Sequence, residues 1–246
     1  MSTFRALVLV ATLLFPVSAT AADYLTIESD GRRIDAEVFA AKGPVARTAV
    51  IVLHGGGGLA RDRDVYRRYA KTLATAGIEA ILVPYYSAAD ATAMSSRERP
   101  VRQAVYHERL TAWMREISAV VDALARDGKS VGLLGFSQGG YLATAVAATD
   151  RRITALAVFY GGMPDALRGK VAHLPRSLIL HGDEDRVVPF SEAQSLEAQV
   201  RMLGANAELA VYRGKGHGFD FDAADAAAAD AMARIVRFFR SQPRAE

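Results

Sequence analysis

The feature of this sequence that most constrains its fold is a series of short apolar runs without polar alternation. A strand that is apolar at every position is buried on both faces, as strands are in parallel sheets. Segments with helical periodicity or turn residues separate these runs. The pattern predicts the α/β class, with a mostly parallel central sheet, right-handed crossovers and helices on both faces. The runs predicted as buried strands are residues 48–53, 78–83 and 131–136, and residues 153–160 and 177–181 are predicted as a fourth and a fifth strand.

The other predicted elements complete one domain over residues 23–246. Segments 24–29 and 34–39 alternate between polar and apolar residues, which predicts a half-exposed antiparallel hairpin, and residues 208–212 predict a sixth core strand. Residues 85–100 are interpreted as an exposed loop, and residues 161–176 are too short for a separate cap domain. Helices are predicted over residues 64–76, 101–124, 139–148, 191–203 and 223–239.

Residues 1–22 have the layout of a secretory signal peptide. Arg5 precedes the apolar stretch 6–17, and small residues with an Ala-x-Ala pattern follow at 18–22. Cleavage after Ala21 or Ala22 is expected, with export to the periplasm or the medium. The apolar stretch is short for a membrane span. Because cleavage also removes it, stable membrane insertion of the mature protein is not expected. The alternative is an uncleaved N-terminal anchor.

Composition excludes several classes of site and partner. The chain has no cysteine, which rules out disulfides, a thiolate nucleophile and a Cys-ligated metal. Its 30 basic and 27 acidic residues give a net charge of +3 that is spread along the chain. A nucleic-acid partner would require a basic stripe or patch, so none is expected. The sequence does not indicate an oligomeric state.

The strongest local motif is the G-x-S-x-G pattern Gly135-Phe136-Ser137-Gln138-Gly139, which lies between a predicted buried strand and a predicted helix. A serine at such a sharp turn sits in a strained conformation with its hydroxyl exposed above the sheet. Glycines two residues before and after it avoid clashes with neighbouring backbone. Ser137 is therefore the candidate nucleophile. The alternative is a glycine-rich turn with an incidental serine.

A nucleophilic serine needs a base, and the base needs a carboxylate that orients it. Strand 177–181 runs into an acidic turn that offers both Asp183 and Asp185, and spacing alone does not choose between them. His217 follows the last predicted strand on a glycine-flanked loop. The order Ser, Asp, His is the one expected after successive strands of such a sheet.

The glycine run 55–58 follows the first buried strand and His54. Acyl transfer develops negative charge on the former carbonyl oxygen, and the amides of Gln138 and Gly56 are the predicted donors to it. Gly55, Gly57 and Ala60 also fit a dinucleotide fingerprint, but the next strand ends at 83 without the acidic residue such a site needs. No cofactor is therefore expected.

A metal centre is the other alternative at these positions. His and Asp side chains are suitable metal ligands. However, the candidate residues do not have the fixed spacing in sequence that is typical of a metal site. We therefore expect no metal. The candidates are His54, His181, Asp183, Asp185 and His217.

The segments GFSQGG, HGDEDRVVP and GKGHGFD together resemble the dienelactone hydrolase-like branch of the α/β-hydrolases over roughly residues 45–241. The resemblance implies the α/β-hydrolase fold without a cap and favours Asp185 over Asp183 as the acid. The best-known members of this family use a cysteine nucleophile, where this chain has Ser137. They also carry a glutamate after the first core strand, where this chain has its glycine turn.

These features predict a serine hydrolase that cleaves small-molecule carboxylic esters, thioesters or lactones through an acyl-enzyme, without a metal or organic cofactor. His54, Tyr85 and Tyr86 are candidates for substrate contacts, and ordinary core packing is the alternative for these aromatic residues. Two other functions remain open. One is a binding protein that keeps the fold without catalysis, and the other is a small peptidase that resembles prolyl peptidases.

Overall fold

Eight strands form one sheet in the described part of the chain, residues 23–43 and 48–241 of a computed structural model. The spatial order is β1-β2-β4-β3-β5-β6-β7-β8. The strands are β1 (Asp23–Ser29), β2 (Arg32–Phe39), β3 (Thr48–Leu53), β4 (Glu79–Val83), β5 (Ser130–Phe136), β6 (Ile153–Phe159), β7 (Arg176–Gly182) and β8 (Ala207–Tyr212).

The sheet is parallel from β4 to β8 and antiparallel at its β1–β2 edge. Asp30 and Gly31 connect β1 to β2 with φ of 50° and 73°. Two successive residues with positive φ match the twist of a tight hairpin, which Asp-Gly favours. The predicted mostly parallel sheet is confirmed, and so is its antiparallel hairpin.

Helices cover both faces of the sheet. Strand β3 shows why, because Ile51 and Leu53 face one hydrophobic cluster whereas Val50 and Val52 face the other. Helices α3, α4 and α5 bury their apolar residues in the first cluster, and α1 and α6 bury theirs in the second. The helices are α1 (Gly58–Thr75), α2 (Ala88–Met94), α3 (Arg99–Arg126), α4 (Gln138–Thr149), α5 (Phe190–Met202) and α6 (Ala226–Arg240).

Two predicted boundaries differ from the structure. The predicted loop 85–100 is wrong at α2, where Ser87 and Asp90 form a reciprocal capping box. Asp90 also accepts hydrogen bonds from Trp113 and Arg109 of α3, which dock this short helix. Helix α1 begins at Gly58, well before the predicted start at 64, and it is kinked just after its first turn, at Asp62.

The described residues contain no cap domain. Between β6 and β7 the only regular structure is a 3₁₀ turn (Asp165–Leu167), so the carboxyl edge of the sheet stays open. Within residues 23–43 and 48–241, none of the helices has the length and apolarity needed to cross a bilayer. The predicted signal peptide, residues 1–22, lies outside the described residues.

Candidate active site

Ser137 occupies a strained turn between β5 and α4. Its φ of 52° and ψ of −117° lie in a region that non-glycine residues rarely adopt. A Cβ on Gly135 would lie 2.2 Å from the Gly139 carbonyl oxygen, and one on Gly139 would lie 2.3 Å from the His54 carbonyl oxygen. Because both obstacles are backbone atoms, only glycine fits at positions 135 and 139.

The loop after β8 brings His217 to Ser137. The His217 Nε2 atom lies 3.0 Å from the Ser137 Oγ, and the Nδ1 atom lies 2.7 Å from Oδ2 of Asp185. The His217 side chain is partly exposed, whereas the Asp185 side chain is fully buried. The structure thus connects the three predicted residues in one hydrogen-bonded chain at the carboxyl edge of the sheet.

Asp185 is fixed through both of its carboxylate oxygens. Its Oδ1 accepts hydrogen bonds from the amides of Val187 (2.7 Å) and Val188 (2.9 Å). Its Oδ2, which faces His217, also lies 3.4 Å from Nε2 of the buried His181. Burial alone would raise the pKa of Asp185, but the hydrogen bonds from the two histidines and the two amides outweigh it and hold that pKa well below its usual range. Asp185 is therefore ionised at neutral pH.

Asp183, the other acidic candidate, has a different partner. Its Oδ1 accepts a hydrogen bond of 2.7 Å from the amide of Gly214 and ties the loop after β7 to the loop after β8. Geometry therefore makes Asp185 the partner of His217 and gives Asp183 a contact between loops.

The glycine turn lies beside the amino end of α4. The Gly55 amide donates to the Tyr66 hydroxyl at 3.0 Å, whereas the Gly56 amide has no acceptor among the described residues. A Cβ on Gly56 would lie 3.4 Å from the Gln138 side-chain oxygen. Gln138 begins α4, where first-turn amides have no acceptor within the helix. The two predicted donor residues are thus adjacent.

His54, Tyr85 and Tyr86 form an aromatic wall beside this turn. The rings of His54 and Tyr85 stack at 3.9 Å, and the Tyr85 hydroxyl donates to the His54 carbonyl oxygen at 2.8 Å. Burial lowers the pKa of His54 to about 4, so its ring is neutral at neutral pH. Tyr86 lines the cleft, and its hydroxyl accepts a hydrogen bond of 2.7 Å from the Gln138 side chain. Tyr85 is fully buried behind His54 and contributes no surface to the cleft.

Arg32 of β2 holds the backbone of this wall, and sequence analysis missed it. Its guanidinium donates to the carbonyl oxygens of Pro84 (2.6 Å), Tyr85 (2.9 Å) and Tyr86 (2.7 Å). It also forms an ion pair with the buried Glu116 of α3. An arginine in a surface hairpin carries no motif, so no signal in the sequence marks this role.

A cleft of about 1080 Å³ opens above Ser137 and His217. The glycine turn, Tyr86 and the C-terminal end of α2 form much of its lining, so the helix that replaced the predicted loop shapes the site. Within residues 23–43 and 48–241, no three His, Cys, Asp or Glu side chains are grouped so that they could hold a metal ion.

Solved structures share this architecture. A dienelactone hydrolase-like promiscuous phosphotriesterase from metagenomic libraries superposes with a TM-score of 0.76 at 23% identity, covering 90% of this chain and 98% of that one. An α/β serine hydrolase without a lid from Xanthomonas campestris gives a TM-score of 0.67 at 19% identity, covering 94% and 100%. Est1E from Butyrivibrio proteoclasticus gives 0.66 at 19% identity, covering 90% and 100%. At these identities the likeness establishes the α/β-hydrolase fold.

Sequence comparison gives one short match to a named protein and one match to a family model. A segment of 47 residues is 38% identical to the rice (Oryza sativa subsp. japonica) protein named "Probable isoprenylcysteine alpha-carbonyl methylesterase ICME". It spans 19% of this chain and only 11% of that relative. The model of the dienelactone hydrolase family matches residues 34–242 and so covers most of the chain. The chain therefore belongs to the dienelactone hydrolase family, a family of α/β-hydrolases.

Proposed function

We propose that this protein is a serine hydrolase that cleaves small-molecule carboxylic esters, thioesters or lactones through an acyl-enzyme. The observation that carries the proposal is the chain from Ser137 Oγ to His217 Nε2 (3.0 Å) and from His217 Nδ1 to Asp185 Oδ2 (2.7 Å). A hydroxyl, an imidazole and an ionised carboxylate in this order are the groups that acyl transfer requires.

In the proposed first step, Ser137 Oγ attacks the substrate carbonyl carbon while His217 Nε2 takes the hydroxyl proton. Asp185 accepts the hydrogen bond from Nδ1 and stabilises the imidazolium that forms. The amides of Gln138 and Gly56 are the donors assigned to the developing oxyanion. When the tetrahedral intermediate collapses, the alcohol or thiol leaves with the proton from His217, and Ser137 keeps the acyl group.

In the second step, water attacks the acyl-enzyme while His217 takes its proton. Collapse of this intermediate releases the acid and returns the proton to Ser137 Oγ. For a lactone, the acid and the alcohol leave as one molecule. The buried, ionised state of Asp185 supports the proposal, because a neutral acid at this position would not stabilise the imidazolium.

The test compares Ser137→Ala with a matched serine variant. Ser137→Ala is expected to abolish turnover of p-nitrophenyl acetate and covalent labelling by a fluorophosphonate. Ser95 also lines the cleft, but its hydroxyl donates to the Thr92 carbonyl oxygen, so Ser95→Ala should keep both activities. Undiminished turnover in Ser137→Ala would refute the assignment. A folded wild-type protein that the reagent does not label would favour the non-catalytic binding protein.

We also propose export to the periplasm or the medium, which rests on the pattern of residues 1–22. The N-terminus of the protein recovered from an expressing bacterium tests it. Sequencing should find residue 22 or 23 first, and an intact residue 1 on protein recovered from the membrane would favour an uncleaved anchor.

A further inference from the structure

Tyr160 stands directly after β6, between the strand that carries Ser137 and the strand that leads to Asp185. Its amide donates to the Leu180 carbonyl oxygen of β7 at 2.8 Å, and the preceding Phe159 carbonyl oxygen accepts from the Ser137 amide at 2.9 Å. The residue is 1% exposed, and its φ is +35°. A non-glycine residue in such a conformation is strained, and the surrounding structure must offset that strain.

The Tyr160 side chain reaches the proposed base in two ways. Its ring lies directly against the imidazole of His217, with 4.5 Å between the ring centroids. Its hydroxyl donates a hydrogen bond of 2.8 Å to Oδ1 of Asp220, three residues after His217 on the same loop. Tyr160 thus contacts both the imidazole ring of His217 and the loop on which His217 lies.

Asp220 is completely buried, and this hydrogen bond holds its side chain. Arg68 of α1 donates to the backbone carbonyl oxygens of Asp220 and Phe221, so it holds the turn but not the carboxyl group. The Asp220 Oδ2 atom makes no hydrogen bond of ordinary geometry within the described residues, and the Tyr69 hydroxyl of α1, which also makes none, interacts with the same carboxyl group. The link between the side chain of this turn and the end of β6 therefore depends on the Tyr160 hydroxyl.

A buried carboxyl group with one unsatisfied oxygen lowers the stability of a fold. Burial raises the pKa of Asp220 despite the opposing effects of the Tyr160 and Tyr69 hydroxyls, and this shift is opposite in direction to the one at Asp185. The surroundings of His217 thus combine the strained backbone of Tyr160 with the unfavourable buried acid Asp220. Backbone strain that persists next to a reactive group indicates that the strained residue has a functional role.

We propose that Tyr160 and Asp220 form a positioning pair that holds His217 in line between Ser137 and Asp185. The ring of Tyr160 limits how far the imidazole can tilt, and the hydrogen bond to Asp220 fixes the loop behind it. The inference rests on the proposed hydrolase function. Neither residue takes part in proton transfer.

Removing the Tyr160 hydroxyl is the direct test. In Tyr160→Phe the ring remains but the link to Asp220 is lost, and misplacement of a catalytic group by about 1 Å can cost on the order of 100-fold in rate. We expect kcat for p-nitrophenyl acetate to fall roughly 10- to 100-fold with KM changed by less than about twofold. The rate of fluorophosphonate labelling should fall in parallel.

Changes at Asp220 separate positioning from general loosening of the fold. Asp220→Asn keeps the oxygen that accepts from Tyr160 and should retain most of the wild-type kcat, whereas Asp220→Ala should match Tyr160→Phe. The matched control is Tyr212→Phe, which breaks another Tyr–Asp hydrogen bond, the 2.9 Å bond to Asp230, on the α6 side of the sheet. This control should keep the wild-type kcat. All assays are made well below the lowest measured Tm.

Three results would overturn the pair. The first is a Tyr160→Phe variant that keeps more than half of the wild-type kcat. The second is a kcat for Asp220→Asn that is no higher than the kcat for Asp220→Ala. The third is a Tyr212→Phe control whose kcat falls as much as that of Tyr160→Phe. Each of these can occur while Ser137-dependent turnover is intact, so the proposed function would survive. Wild-type protein without Ser137-dependent turnover would refute the proposed function instead.

Discussion

Replacing Asp185 by asparagine tests how the two oxygens of this carboxylate divide their partners. Its Oδ1 accepts from two backbone amides, those of Val187 and Val188. The asparagine oxygen must take this position, because an NH₂ group there would face two donors. The new NH₂ group then faces Nδ1 of His217, where Oδ2 now lies 2.7 Å away.

This orientation forces the wrong tautomer on His217. The Nδ1 atom must accept from the asparagine NH₂, so the proton moves to Nε2, the atom that faces Ser137 Oγ at 3.0 Å. A protonated Nε2 cannot take the serine proton. A comparable substitution in a serine protease triad lowers kcat by about 10⁴, which corresponds to roughly 5.5 kcal/mol of transition-state stabilisation at 1.36 kcal/mol per tenfold. We expect a loss of this order in Asp185→Asn.

The assay is steady-state turnover of p-nitrophenyl acetate near pH 7.5, with thermal unfolding to show that the variant is folded. Asp183→Asn is the matched control, since Asp183 lies two residues away on the same turn and bonds to the Gly214 amide instead. It should keep turnover within about threefold, as expected for a residue outside the proton path. A loss below tenfold in Asp185→Asn, or an equal loss in the control, would refute the reasoning.

Two further predictions concern stability. His54 has a pKa of 6.5 when unfolded and about 4 in the folded protein, so the unfolded state binds more protons between these values and stability falls as the pH drops from 6.5 to 4. This contribution, about 3 kcal/mol, should disappear from the pH dependence of urea unfolding in His54→Phe, and unchanged dependence would contradict the assignment. Gly139→Ala places a Cβ 2.3 Å from the His54 carbonyl oxygen, so we expect a loss of at least about 3 kcal/mol and a Tm lower by roughly 6 °C or more. The control Gly216→Ala has its nearest neighbour at 3.8 Å and should keep the wild-type Tm, and equal shifts in the two variants would show that the clash is not real.

The sheet was predictable because its signal is local. Core strands such as β3 and β5 are apolar at almost every position, and the glycines that flank Ser137 mark the turn. The positions of Asp185 and His217 after successive strands follow from the parallel order of the sheet. Pattern and topology were therefore enough to predict that Ser137, His217 and an acidic residue of the turn after β7 would meet.

The residues that sequence analysis missed depend on contacts between distant elements. Helix α2 is short, and its capping box uses Asp90 in place of the usual Glu, so it resembles a polar loop. Arg32 and Tyr160 act through backbone carbonyls, a ring contact and a buried acid that no spacing in the sequence encodes. Spacing left Asp183 and Asp185 open and the family resemblance favoured Asp185, and the direction in which each side chain points shows that Asp185 contacts His217.

The way in which Arg32 holds residues 84–86 has a consequence for which substitutions the cleft of this protein can tolerate. All three of its hydrogen bonds in this segment go to carbonyl oxygens, which every amino acid possesses. Arg32 therefore holds the main chain of residues 84–86 without contacting their side chains through these hydrogen bonds. A substitution at Tyr86 should therefore change the lining of the cleft and remove the acceptor of the Gln138 side chain, while the main chain of residues 84–86 stays where Arg32 holds it.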